Sequence, residues 1–265
     1  MWTRCCCLAS TLFLAGLLVG CGSDAPDASA TPDAASAPDA SNAAAAPLPD
    51  SVNALSQAAQ ANGWRLLFDG TSMAQWRGFT QDSMPDDWTI ARGAMHFTGA
   101  NDDAPDDIIT RQMYDHFDLR LEWRISEGGN SGIMFNVREE GYEWPWQTGP
   151  EMQVLDNKRH PNGENPKTTA GANYALYAPA QDVTKPVGQW NEARLVVRGD
   201  TVTHYLNGTQ LVRYVIGSEE WTQRVQNSKF GEMPGYASFD SGYIALQDHG
   251  DPVWFRDIKI RTLNP

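Results

Sequence analysis

Two acidic segments and one histidine carry the chemistry that can be read from the chain. In Glu151-Met152-Gln153-Val154-Leu155-Asp156 the apolar and polar residues alternate, so on a strand Met152 and Val154 face a core while Glu151 and Gln153 face away from it. Asp156 has the wrong parity for that face unless a bulge intervenes. Acids at i and i+5 on one strand can pair as nucleophile and acid. Here Gln153 stands at the middle position and Asp156 at the distal one, which disfavours a retaining mechanism of that type.

Phe117-Asp118-Leu119-Arg120-Leu121-Glu122-Trp123-Arg124-Ile125 alternates as strictly, with every even position charged. A solvated face explains this pattern. A sugar-holding face of a curved sheet explains it equally and would put Glu122 and Arg124 in a site. His249, between Asp248 and Gly250-Asp251-Pro252, is either a general base at a strand end or a histidine that caps the turn. His204 lies mid-strand among apolar residues, with a partnered structural role and a site role both open. His160 precedes Pro161-Asn162-Gly163 in a loop able to close over a ligand, whereas His96 and His116 read as structural. Tyr142, Trp144, Pro145 and Trp146 lie just before Glu151, and Trp146 or Trp144 offers a face on which a sugar ring can stack.

Other chemistries lack their motifs. There is no Gly-x-Gly-x-x-Gly, P-loop or Gly-x-Ser-x-Gly, and no His-x-x-x-His or EF-hand loop. The acidic pairs Asp86-Asp87, Asp102-Asp103 and Asp106-Asp107 read as loop charge, with calcium the alternative. The net charge is −13, and from residue 51 onward 28 acids stand against 19 bases. Such a surface repels nucleic-acid phosphates.

These residues need elements to hold them. From Trp64 the hydrophobic period is two, and short runs are separated by Gly, Pro, Asn or Asp. Strands are expected at residues 64–68, 88–91, 94–97, 117–125, 132–137, 151–155, 191–198, 201–206, 210–215, 242–247 and 253–261. Arg256 shares parity with Trp254, Ile258 and Ile260, so a bulge is needed to expose it. Residues 191–212 read as a meander through Gly199-Asp200 and Asn207-Gly208. No helical periodicity follows residue 62, and the expectation is an all-β, concanavalin-like jelly-roll sandwich of two antiparallel sheets.

The amino terminus carries an export signal. Arg4, the apolar run LASTLFLAGLLV and Leu18-Val19-Gly20-Cys21 form a signal peptide over residues 1–20 that ends in a lipobox, with Cys21 the lipidated residue. The run is too short to cross a bilayer. Residues 21–50, nearly all Ala, Asp, Pro, Ser and Gly, read as a disordered tether. Residues 51–63 form a short helix or linker with Val52, Leu55 and Ala59 on one face, and residues 64–265 form the domain. The mature chain would keep Cys21 as its one cysteine, so no disulfide is expected. Gly22-Ser23 lacks the Asp of inner-membrane retention, which points to an outer-membrane lipoprotein facing the periplasm or cell surface. No protein partner is legible.

Seven ordered segments resemble a known family. They are residues 67–72 (LFDGTS), 121–125 (LEWRI), 128–133 (GGNSGI), 149–157 (GPEMQVLDN), 190–194 (WNEAR), 204–208 (HYLNG) and 245–258 (ALQDHGDPVWFRDI). Over residues 64–262 they resemble the 3-keto-disaccharide hydrolase domain, a concanavalin-like sandwich of secreted bacterial lipoproteins. The resemblance implies a carbohydrate substrate with a ketone at C3, which acidifies the C2 proton. A base removes that proton, the aglycone leaves from C1, and water added to the enone gives net hydrolysis. On that implication Glu151 and His249 are acid and base, with Glu122 nearby. Arg124, Gln153, Asp156, His204, Gln247, Arg256 and Trp146 bind sugar or stabilise the enolate. A divalent metal at the ketone is an option without assigned ligands. A non-catalytic glycan-binding module and a conventional endo-glucanase stay open beside it.

Overall fold

The computed structural model describes residues 51–99 and 106–264. Cys21, the signal peptide, the tether and Asp102-Asp103 lie outside them. In chain order the elements are α1 (Gln57–Ala61), β1 (Trp64–Leu66), β2 (Trp76–Gly78), β3 (Trp88–Ala91), β4 (Ala94–Phe97), β5 (Ile108–Thr110) and β6 (Phe117–Ile125). Next come β7 (Asn130–Val137), β8 (Glu151–Leu155), β9 (Asn191–Arg198), β10 (Thr201–Leu206) and β11 (Thr209–Val215). The chain ends with α2 (Glu219–Gln226), β12 (Tyr243–Leu246) and β13 (Val253–Thr262).

The strands form two antiparallel sheets, giving the jelly-roll sandwich that the alternation predicts. The larger sheet runs β11-β10-β9-β6-β13-β4-β3, with β1 also paired to β13; the smaller runs β2-β5-β12-β7-β8. Between them sits one apolar core. Leu119, Leu121, Trp123 and Phe255 of the larger sheet meet Ile133, Phe135, Met152, Val154, Ile244 and Leu246 of the smaller. Each such side chain, fully buried, contributes roughly 1.5–3 kcal/mol. Two of the core indoles keep their N–H groups paired: Trp76 donates to the Leu67 carbonyl at 2.8 Å and Trp88 to the Asp106 carbonyl at 2.6 Å, whereas the Trp123 Nε1 is buried with no protein partner.

In β13 the register shifts between Arg256 and Lys259, and Asp257 takes a φ of 51°. Val253 and Phe255 point inward before this bulge and Ile258 and Ile260 after it. The bulge therefore exposes Arg256, as its parity requires. Asn53 clasps it: the Asn53 amide donates to Asp257 Oδ1, the Asp257 amide donates to Asn53 Oδ1, and Asn53 Nδ2 donates to the Gly93 carbonyl. Of Val52, Leu55 and Ala59, expected on one helical face, only Ala59 is helical. Asn53 has a φ of 60°, and the Ser56 side chain caps a helix that starts at Gln57.

Candidate active site

The outer face of the smaller sheet holds the groove. On β8, Met152 and Val154 enter the core while Glu151 and Gln153 face outward. On β7, Ile133 and Phe135 enter the core and Asn130, Gly132 and Met134 face outward beside them. Gln247, which follows β12, and Asp107, which precedes β5, complete the polar half. Next to the groove lies a small apolar cluster of Phe79, Ile109, Met134, Val137 and Ala245, against which Tyr142, Trp146 and Tyr243 pack, and Trp146 of that cluster reaches the groove wall. The groove has a volume of about 560 Å³ and is lined also by Trp144, Tyr174, Lys229, Asp248 and His249.

Glu151 lies on the floor. A Cβ on Gly132 would sit 2.4 Å from Glu151 Oε1, so only glycine lets the carboxyl lie across β7. Burial pushes the Glu151 carboxyl up to about 8 against the counteracting Lys229 ammonium. At neutral pH this carboxyl holds its proton. Asp107 is also pushed well above the usual carboxylate range by burial, and its Oδ1 accepts from the Asp248 amide at 3.0 Å. Gln153 Nε2 donates to Asn130 Oδ1 at 3.2 Å, while Gln153 Oε1 is buried with no protein partner. A buried amide oxygen in that state calls for a donor from a ligand or water.

The loop after β12 brings His249 to the rim. Gly250 donates to Asp248 Oδ1 at 2.7 Å and the Asn130 amide to Asp251 Oδ2 at 3.1 Å, which fixes the turn on both sides of the histidine. His249 is exposed, and its ring centroid lies 6.4 Å from that of His160. The His160 Nδ1 accepts from the Asn162 amide at 3.0 Å, so the expected closing loop borders the groove with a fixed ring. Trp146 stands on the turn Pro145–Gln147, whose Gln147 Oε1 accepts from the Glu143 and Trp144 amides. Trp144 is the more exposed of the pair.

Lys229 was not singled out from the sequence. It follows α2, a helix with no long apolar stripe to announce it. Trp221 is the buried residue of α2 and stacks on Tyr214 at 5.1 Å and Tyr177 at 6.2 Å. That stack, together with Phe230 on Tyr236 at 3.9 Å, delivers the Lys229 ammonium to the groove. Its Nζ sits 4.4 Å from the Tyr174 ring centroid, 5.1 Å from Phe230 and 5.4 Å from Trp146.

Several expected site residues lie elsewhere. Glu122, Arg124 and Arg256 face outward from the larger sheet, on the far side of the core from the groove. Alternation reports inward or outward, and it does not say which sheet. Arg256 Nε donates to Glu122 Oε2 at 2.6 Å. The two guanidiniums sit over Trp190, and Arg124 also covers Trp254, which His96 stacks upon at 4.5 Å. These groups form a stacked surface ladder. His204 is fully buried: Gly171 O lies 3.1 Å from its Nδ1 and the Tyr214 hydroxyl 3.2 Å from its Nε2, and burial lowers its pKa to about 4. It is a structural residue of the core. Asp156 follows β8 at the end of the sandwich and accepts from the Gly128 and Lys158 amides, so it caps turns outside the groove. His116 accepts from the Gly199 amide. Among the described residues no group of three or more His, Cys, Asp or Glu side chains converges as a metal cage. Among the described residues the donors present do not fit the divalent metal that the resemblance allows.

A jelly-roll sandwich bearing an aromatic-walled polar groove over a protonated carboxyl is the construction of a carbohydrate-cleaving hydrolase. Residues 63–261 match the 3-keto-α-glucoside-1,2-lyase-like domain, and the chain belongs to that family. A curated relative, the 3-keto-disaccharide hydrolase of Bacteroides thetaiotaomicron, is 31% identical over 98% of this chain and 97% of its own length. A solved structure from Parabacteroides distasonis, provisionally described as a glycosyl hydrolase, is 31% identical with a TM-score of 0.75, covering 81% of this chain and 100% of that one. A second from the same organism, at 23% identity and a TM-score of 0.59 over 76% of this chain and 100% of that one, shares the fold.

Proposed function

We propose that the chain cleaves 3-keto-glycosides or 3-keto-disaccharides by elimination and rehydration, from a lipid-anchored position at a bacterial membrane, the outer one. The observation that carries the chemistry is the Glu151 carboxyl, raised to about 8 at the floor of the groove. An acid that keeps its proton at neutral pH is what a departing glycosidic oxygen needs.

The base is His249 at the rim, since imidazole is the side chain suited to accept a proton near neutrality. It takes the proton from C2, which the C3 ketone has acidified. The C1–O bond then breaks, Glu151 gives its proton to the leaving oxygen, and an enone remains. Water adds its oxygen to C1 and a proton to C2, and the net result is hydrolysis. Trp146 stacks on the apolar face of the ring. Gln153 Oε1, Asn130 and Gln247 hold hydroxyl groups. The family's naming as a lyase supports elimination, and a retaining glucanase is disfavoured because β8 presents Gln153, not a second carboxyl, beside Glu151.

Turnover of a 3-keto-disaccharide in D2O tests this reading. Elimination and rehydration leaves one deuterium at C2 of the released keto-sugar, which mass spectrometry detects. Release without deuterium refutes the elimination step. Saturable binding of a plain glycan with no release from any 3-keto sugar identifies a binding module instead. Glu151→Gln and His249→Ala, both folded and both at wild-type turnover, refute the residue roles.

A further inference from the structure

Deprotonation at C2 of a 3-keto sugar moves negative charge onto the C3 oxygen. The groove is poorly equipped for that charge at first sight. Its ionisable lining includes Asp107, Glu151 and Asp248, three acids in a partly dry site. The cations expected to meet the charge, Arg124 and Arg256, are on the other sheet with Glu122 and Trp190. The neighbouring arginines of the smaller sheet are engaged as well: Arg77 donates to both oxygens of Glu139, and Arg138 donates to the Ser241 carbonyl and hydroxyl. Among the residues lining the groove, Lys229 is the one lysine or arginine.

We propose that Lys229 is a catalytic residue whose ammonium donates a hydrogen bond to the C3 oxygen as it becomes an enolate. This rests on the keto-sugar reading above. Three ring faces, Tyr174, Phe230 and Trp146, surround the Nζ within 5.4 Å and hold the cation through their quadrupoles. Glu151 is a weak competitor for the charge, because burial raises that carboxyl to about 8. Tyr174 and Trp146 also line the groove, so the cage that fixes the ammonium is part of the sugar's own wall.

The electron movement is balanced without a further reagent. The C2–H pair becomes the C2=C3 bond and the carbonyl π pair moves to the C3 oxygen. That pair returns as the C1–O bond breaks and C1=C2 forms. The proton lost from C2 resides on the base, and the proton on Glu151 leaves with the aglycone. Lys229 keeps its protons throughout and is neither a nucleophile nor an acid. A preorganised donor of this kind acts in the transition state, where it is worth about 10²–10³ in kcat.

The test compares wild type, Lys229→Met and Lys229→Arg on a 3-keto-disaccharide. Methionine fills the aromatic cage without charge, so folding is retained and checked by thermal melting. Lys229→Met is expected to lower kcat about 100- to 1000-fold, with KM changed by less than about tenfold. Exchange of the C2 proton with D2O falls in parallel, and Lys229→Arg recovers part of both rates. A structural anchor predicts a lower melting temperature with exchange per folded molecule unchanged. That result overturns the proposal, as does a borohydride-trapped covalent adduct at Lys229 in wild type. A wild-type chain inert toward every 3-keto sugar removes the underlying reading and this one with it. An active wild type matched by Lys229→Met removes this one alone.

Discussion

Gly132→Ala asks whether the placement of the Glu151 carboxyl controls turnover. The new methyl would lie 2.4 Å from Glu151 Oε1 and 2.8 Å from both Cδ and Cγ. Ordinary contact begins near 3.5 Å, so the carboxyl must retreat by about 1 Å. Gly132 lies in β7 and is absent from the left-handed residues, so alanine adds no backbone strain. The structural cost is overpacking, about 1–3 kcal/mol, or a melting temperature lower by roughly 2–10 °C. The functional cost is larger: a displacement of about 1 Å in a reacting group costs on the order of 100-fold in rate, equivalent to about 2.7 kcal/mol in the barrier. Steady-state kinetics on a 3-keto-disaccharide, beside a thermal melt, separates the two. The double variant Gly132→Ala/Glu151→Gln closes the cycle and should be no slower than Glu151→Gln, because both changes act through one group. Wild-type kcat/KM in folded Gly132→Ala would refute the reasoning, and additive losses in the double variant would assign the effect to something other than Glu151.

Three further outcomes are expected. Glu151 has a pKa raised from 4.5 to about 8 in the fold, so its contribution to stability is full below pH 4.5 and is lost as the pH rises through 8. Glu151→Gln should therefore melt higher than wild type at pH 9, with the gap closing by pH 4, and wild-type kcat/KM should fall on the alkaline side with an apparent pKa near 8. His204 is lowered from 6.5 to about 4, so the unfolded chain binds the proton more readily and stability falls by about 3 kcal/mol as the pH drops from 6.5 to 4. Denaturant titrations of His204→Gln should show a flatter acid limb; an unchanged limb places the sensitivity elsewhere. Glu122→Gln should leave turnover within about twofold of wild type while loosening the Arg256 contact, since that carboxylate faces away from the groove; a large loss of kcat would mean the two sheets share the site.

Strand alternation made the larger part of the fold legible. β3, β4, β6, β8, β9 and β10 have the predicted ends, and β6 shows why most plainly, with apolar residues at every odd position and charges at every even one. β2 and β5 were not expected: three residues are too few to show a period, and Ile108-Ile109-Thr110 is buried on both faces. α2 escaped because one indole, not a stripe, docks it. The same physics divides the site. Glu151 and Gln153 were placed correctly on an outward face, and Trp146 on a wall, because parity and loop position are local. Glu122 was given the right orientation on the wrong sheet, since a period of two cannot tell one outward face from another. His204 looked like a site residue until Gly171 and Tyr214 supplied partners from distant segments. Lys229 reaches the groove beside five stacked rings from separate parts of the chain, an arrangement with no sequence period at all.

The clasp at Asn53 decides where mechanical load enters the molecule. Three hydrogen bonds join residue 53 to the β13 bulge and to the tight turn between β3 and β4, both in the larger sheet. A pull on the chain upstream of that asparagine is taken up there, across the apolar core from Glu151. The cleft thus lies off that load path, and such a pull would strain the back of the sandwich before it disturbed the groove.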